Sequence, residues 1–213
     1  MKNYAIIGAS GLIGGCLVDE LLQTTDNKIT LISRRALGLS NSRIHEVIVD
    51  FTNQSALNEA LKGVDAVFIA IGTTQKKMKG DLSAYRKVDY DIPVAVAQAC
   101  VINNVPKLLM VSSAGADSSS SNFYLRIKGE VEQAIEKMPI QYIGIFQPSL
   151  LLGNRNEFRL GEKISQFIMP IFSFIIPSKY KPIAAKSIAK AMIRKAIQDQ
   201  KGVKRYTYTD IIH

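Results

Sequence analysis

The segment that most restricts the fold is Gly8-Ala9-Ser10-Gly11-Leu12-Ile13-Gly14. It follows the short run Asn3–Ile7, which reads as a buried strand, and it opens a stretch in which Leu12, Leu17, Leu21 and Leu22 recur at helical spacing. Strand, glycine turn and helix start therefore meet at one corner. The first N–H groups of a helix have no partner within it, so they bind a phosphate when no side chain stands in the way. Gly8 permits the sharp turn, Gly11 lets the backbone approach an anion, and Gly14 lets the helix sit close on the strand. A glycine triplet alone is an ordinary turn; its place at this junction points to a dinucleotide.

The rest of the chain repeats the same alternation. Strands are predicted at 29–33, 44–49, 66–71, 107–111 and 140–146. Between them fall a short helix at 55–61 and a long helix reaching about Asn103, kinked or started near Pro93. A further helix is capped by Asn122 and stopped by Pro139. An apolar helix, a turn at Pro177–Pro182, a basic helix over 184–199 and a final strand over 204–209 complete the reading. Strands separated by helices imply an α/β fold, with a doubly wound parallel sheet and helices on both faces. Its ligand would lie at the C-terminal strand ends, near the point where strand order reverses. Residues 1–213 are expected to form one nucleotide-binding domain, with 151–183 as a small cap on the substrate side.

Composition narrows the function. Apolar residues make up 47% of the chain, enough for a packed core. The cysteines, Cys16 and Cys100, offer neither a disulfide framework nor a metal-ligand spacing, so no metal is expected. The start lacks the apolar core of roughly 7–15 residues that a signal peptide carries. No run of about 18 apolar residues occurs, so no membrane span is expected and a cytoplasmic location is the simplest reading. Residues 1–150 hold 15 Lys+Arg against 14 Asp+Glu, a net of +1, whereas residues 151–213 hold 12 against 4, a net of +8. This basic third reads as a solvated face. Nothing in it has the aromatic-and-basic pattern of a nucleic-acid reader. His45 and His213 read as surface or terminal residues.

Specific side chains extend the cofactor reading. The second strand ends in Ser33-Arg34-Arg35, where NAD sites usually carry an acid for the ribose and NADP sites place arginine for the 2′-phosphate. NADP(H) is therefore preferred over NAD(H), with Arg34 the first choice for the phosphate and Arg35 the second. Asp50-Phe51 ends the third strand, where the carboxylate could meet the adenine amine or simply serve a turn. Ile71-Gly72-Thr73-Thr74 ends the fourth with small residues suited to passage beside a ribose. Tyr124 and Lys128 share a helix face four residues apart, after a strand that ends in Ser112-Ser113. An ammonium beside a phenol favours the phenolate, which suits acid–base chemistry. Ser113, with Ser112 as runner-up, would polarise a substrate oxygen. The same pair would serve equally to anchor a nicotinamide ribose without chemistry.

Together these residues resemble the short-chain dehydrogenase/reductase superfamily, in its atypical branch with a Gly-x-x-Gly-x-x-Gly turn. Within it the chain is similar to the Tat-interacting-protein-like oxidoreductases, through GASGLIGG, LISRR, VDF, IGTT, VSSAGADSSSSNFYLRIKGEVE and FQPSLLLGNRNEFRLGE. The resemblance implies NADPH bound at Ser10, Gly11, Leu12, Ile13, Arg34, Arg35, Ile71, Gly72, Tyr124, Lys128, Leu151 and Arg159, with Tyr124 as proton acceptor. Two departures concern the substrate side. The family's Arg-Pro after the sixth strand is Gln147-Pro148, which removes a possible buried cation. Ser187 stands where the C-terminal motif usually has Asp, and is expected to cap the following helix.

Ile164, Phe167, Ile168, Ile171, Phe172, Ile175 and Ile176 form an apolar stripe interrupted by Pro170 and followed by Lys179 and Lys181. It reads as a roof over the nicotinamide pocket, or as a surface over 164–181 for peripheral contact with lipid or a partner. Two functions follow. One is an NADPH-dependent reductase of a small carbonyl-type substrate. The other is a non-catalytic module that senses NADPH and binds a protein. The sequence leaves the oligomeric state open.

Overall fold

The computed structural model describes residues 1–73, 80–152 and 181–213. Seven parallel strands form the main sheet, in the order β3-β2-β1-β4-β5-β6-β9. They are β1 (Asn3–Ile7), β2 (Lys28–Ser33), β3 (Ile44–Ile48), β4 (Ala66–Ile69), β5 (Lys107–Val111), β6 (Tyr142–Phe146) and β9 (Gly202–Tyr206). Two short strands, β7 (Leu151–Leu152) and β8 (Ile183–Ala184), pair separately. Strand order reverses between β1 and β4, whose register runs from Tyr4 opposite Ala66 to Ile7 opposite Ile69. A crevice therefore opens at the C-terminal ends of these two strands.

The continuous apolar strands are explained by burial on both faces. Tyr4, Ile6, Ile29, Leu31 and Phe68 face one core layer, roofed by α1 (Leu12–Thr24) and a helix near the C-terminus, α6 (Ala185–Ile197). Ala5, Ile7, Ile32, Val67 and Ile69 face the other layer. There they meet α2 (Gln54–Ala60), α4 (Ile92–Ile102) and α5 (Phe123–Glu136). Lys186 of α6 pairs with the buried Glu20 of α1 at 3.0 Å across the first layer.

The end of the final strand and the cap of α6 differ from the sequence reading. The final strand is Gly202–Tyr206, and residues Tyr208–Ile212 form a short helix, α7, instead of continuing it. The cause is a capping box at Thr207, whose hydroxyl and N–H both donate to the Asp210 carboxylate. Ser187 does not cap α6: that helix starts at Ala185 with Ala184 in the cap position, and Ser187 already lies inside its first turn. The long helix before Asn103 is interrupted near Pro93, as read: α3 (Leu82–Arg86) leads through a π turn over Lys87–Asp91 into α4, which starts at Ile92. Pro93 has no N–H to bond the carbonyl four residues back, so the chain widens there, and Ile92 N–H reaches Lys87 O instead.

Candidate active site

At the β1–α1 corner Gly8 adopts φ +98°, a left-handed conformation that favours glycine. Its carbonyl accepts the Gly11 N–H at 2.9 Å and closes the turn. A Cβ at Gly8 would lie 2.7 Å from the Ala70 carbonyl, and one at Gly14 would lie 2.0 Å from Gly8 O. These two glycines thus fill the roles read for them in strand and helix packing. Gly11, the N-cap of α1, has no side-chain cap and no acid follows in the first turn, so no anion of the helix itself competes for its first N–H groups. Ser10 and Gly11 are exposed, Leu12 is half-buried, and Ile13 is buried in the core.

Around the crevice, Ser33 turns its hydroxyl onto Arg35 O at 2.6 Å. Arg34 and Arg35 are exposed there, and neither guanidinium is engaged by another described residue. Asp50 is exposed beyond β3; its Oδ1 accepts the Thr52 N–H and hydroxyl, each at 2.9 Å. The Thr52 N–H, followed by its hydroxyl, holds the Asp50 carboxyl below its ordinary pKa. Phe51 is buried beneath it. Ile71 is half-buried and Gly72 exposed at the end of β4. Thr74 lies outside the described residues.

Tyr124 and Lys128 occupy one face of α5, started by Asn122, whose side-chain Oδ1 accepts from Tyr124 N–H and Leu125 N–H. Tyr124 is 36% exposed, while Lys128, one turn on, is 6% exposed. Its Nζ contacts Asp89 Oδ1 at 2.8 Å, and the other carboxylate oxygen accepts the Thr73 N–H at 2.8 Å. Burial alone would push the Lys128 pKa down. The charge of Asp89, then Tyr124, the Asp89 hydrogen bond and Glu132 outweigh it, and the net shift is upward. Asp89, 1% exposed, was not singled out from the sequence. A signal was there: Tyr85, Asp89, Pro93, Val96 and Cys100 line one buried stripe, and an acid in such a stripe needs a partner.

The serines divide. Ser112 donates to Oε1 of the buried Glu132, whereas among the described residues the Ser113 hydroxyl has only a long 3.4 Å contact to Ala114 O. Ser113 is thus the freer hydroxyl of the two. Glu132 also accepts Gln147 Nε2 at 2.9 and 3.0 Å and Arg205 Nε at 3.3 Å. The cation that Gln147 removes is therefore supplied from β9, the neighbouring strand. The loop carrying Ser113 is latched to α5 by Asp117 N–H to Leu125 O at 3.1 Å and by Gln133 to Ser118 at 2.7 Å. A Cβ on Gly129 would sit 2.1 Å from Ser118 N, so this glycine sets how closely loop and helix approach. Leu151 lies past β6, paired with Ile183. Arg159 and the apolar stripe from Ile164 to Ile176 lie outside the described residues.

A parallel sheet with a glycine corner at its reversal point is an architecture that binds dinucleotides. A family model of NAD(P)H-binding proteins matches residues 8–199. Protein HTATIP2 of Rattus norvegicus is 35% identical over 169 residues, covering 78% of this chain and 69% of its own. The mitochondrial protein FMP52 of Candida albicans is 33% identical over 205 residues, covering 93% and 88%. Among solved structures, a UDP-N-acetylglucosamine 4-epimerase from Methanobrevibacter ruminantium M1 superposes with TM-score 0.73 at 23% identity, over 97% of this chain and 76% of that one. The Bordetella bronchiseptica enzyme WbmH, solved with NAD+, gives 0.72 at 20% identity, over 97% and 75%. The chain belongs to the NAD(P)H-binding family and is a relative of the HTATIP2 and FMP52 proteins. Among the described residues no helix is long and apolar enough to cross a membrane, while the fungal FMP52 relatives are mitochondrial by name.

Proposed function

We propose that the protein is an NADPH-dependent reductase of a small carbonyl-type substrate. The observation that carries the proposal is the exposed phenol of Tyr124 one helical turn from the buried, carboxylate-paired ammonium of Lys128, beside the exposed Gly72. The residues fit the cofactor, because Gly8 and Gly14 pack the turn tightly against β4 and the helix start, and the exposed Gly11 leaves that helix start with no side-chain cap and no first-turn acid to compete with a diphosphate. The backbone N–H groups near Ser10, Leu12 and Ile13 would hold the diphosphate. Asp50 and Phe51 would border the adenine, and Ile71, Gly72 and Leu151 the nicotinamide side. Bound there, the cofactor supplies hydride to the carbonyl carbon. Tyr124 donates the proton that the substrate oxygen needs, Ser113 hydrogen-bonds that oxygen, and Lys128 holds the ribose and favours loss of the phenolic proton. Residues 1–213 would work as one unit.

Turnover of a panel of aldehydes, ketones and quinones with NADPH tests the reading. Tyr124→Phe is expected to abolish turnover while leaving NADPH affinity within about threefold, because the phenol acts on the substrate oxygen and the ribose contact of Lys128 remains. Tight NADPH binding with no turnover of any panel member would support the sensing module instead.

The preference for NADPH rests on Arg34 and Arg35, exposed and unengaged at the end of β2, where no acid stands. Arg34→Ala is expected to weaken NADPH by about 1.5–3 kcal/mol, the scale of a hydrogen bond to a charged group. That is roughly ten- to a hundredfold in Kd, with NADH almost unchanged. Calorimetry with both nucleotides checks this; equal losses would remove the 2′-phosphate assignment.

A further inference from the structure

The ion pair beneath Gly72 does more than bury two charges. We propose that Asp89 is a positioning residue of the site, its carboxylate joining the Lys128 ammonium on α5 to the Gly72–Thr73 backbone at the end of β4. The inference rests on the reductase reading, since it gives the joined groups their task.

The geometry uses both oxygens. Oδ1 takes Lys128 Nζ at 2.8 Å and Oδ2 takes Thr73 N–H at 2.8 Å. A carboxylate accepts at both oxygens, whereas an amide carries a donor at one of them. Gly72 is exposed directly above: a Cβ there would lie 3.5 Å from Asp89 Oδ1 and 3.9 Å from Lys128 Nζ. The pair thus lies just under backbone that faces the crevice. Stability does not account for it, because a buried ion pair is often no better than well-packed apolar residues in its place. The π turn supplies the aim. Pro93 widens the helix at 87–91, and the widened turn carries Asp89 on the face that α5 packs against.

The titratable and charged groups facing Lys128 are Asp89 from the π turn and Tyr124 and Glu132 from α5. Asp89 and Lys128 are salt-bridged, and Glu132 is engaged by Ser112, Gln147 and Arg205. Removing the Asp89 charge therefore leaves burial as the main influence on the lysine. A neutral lysine would no longer favour loss of the Tyr124 proton.

The test follows the Lys128 ε-carbon by NMR in protein carrying 13C-lysine, with the signal assigned from its absence in Lys128→Met. In Asp89→Asn the titration midpoint is expected to fall by about two units or more, the scale of an unpaired buried lysine. Asp89→Glu should keep it near the wild-type value. If the Asn variant does not fold, Asp89→Ser, with room for a water, gives the same readout. Calorimetry with NADPH at pH 7 and pH 9 should show Asp89→Asn losing about threefold more affinity than wild type at the higher pH. A midpoint unmoved in the Asn or Ser variant, with normal nucleotide binding by wild type, overturns the role of Asp89 alone. A wild-type protein that binds neither NADPH nor NADH overturns the cofactor reading and this inference with it.

Discussion

Replacing Gly14 with alanine is expected to abolish nicotinamide-nucleotide binding and to lower the thermal midpoint, while the same change one residue later does the opposite. The added Cβ at Gly14 would stand 2.0 Å from Gly8 O, 2.6 Å from Gly8 C and 2.9 Å from Ala9 Cα. All three neighbours are backbone, so no side chain can swing aside, and α1 must move off the turn. Overpacking costs about 1–3 kcal/mol, occasionally more, and a backbone clash belongs at or above the upper end. For a chain of this size a loss of about 3 kcal/mol lowers Tm by roughly 6–12 °C. The shift would open the corner at which the proposed diphosphate site lies. Gly15 lies within the same helix, but its Cβ would meet only Ala9 O at an ordinary 3.7 Å. Gly15→Ala should therefore stabilise by about 0.8–1 kcal/mol through helix propensity alone, with binding kept. Thermal melts and calorimetry on the two variants check both signs. A Gly14→Ala protein that melts and binds like wild type would mean that the corner is not packed as described.

The second large effect concerns the Lys128–Asp89 pair. Lys128→Met leaves the Asp89 carboxylate at 1% exposure with no cation beside it, and breaking one side of a buried pair costs about 3–5 kcal/mol. The double variant Lys128→Met/Asp89→Leu should recover most of that loss, because apolar groups of similar size replace both charges. Nucleotide binding should stay weak in both. Denaturant melts of the two singles and the double separate the terms; a double variant no more stable than Lys128→Met would show that the two side chains do not act as one electrostatic unit. The pH dependence has a definite sign. The folded-state pKa of Lys128 is raised, so its contribution is fully present below the unfolded value of about 10.4 and is lost only as pH climbs through the folded value. The pair therefore holds through neutral pH.

How much of this was legible in the sequence depended on where each residue finds its partners. Strands β1, β4 and β5 lie between two helical layers, so both faces are apolar and the runs declare themselves. Strand β9 is the sheet's edge, and Gly202 to Arg205 are exposed, so GVKRY carries no burial pattern and its register was read two residues late. The cap at Asn122 and the glycine corner are local chemistry and were read directly. Asp89 and Glu132 were not, because each is defined by groups far along the chain: Thr73 and Lys128 for the first, Gln147 and Arg205 for the second. Gly129 escaped for a related reason, since the loop at Asp117–Ser118 that requires it lies across the helix surface. Residue identity was on the page; the opposing surface was not.

The guanidinium of Arg205 has a consequence for how this fold tolerates change. It reaches from the outermost strand to Glu132 and Glu136, and Glu132 in turn holds the hydroxyl next to Ser113. Exposed positions on an edge strand ordinarily tolerate substitution with little effect. Here Arg205 on β9 keeps neutralised the buried carboxylate that binds Ser112, the neighbour of Ser113, so variation at the sheet's rim would be felt at the proposed site rather than at the periphery.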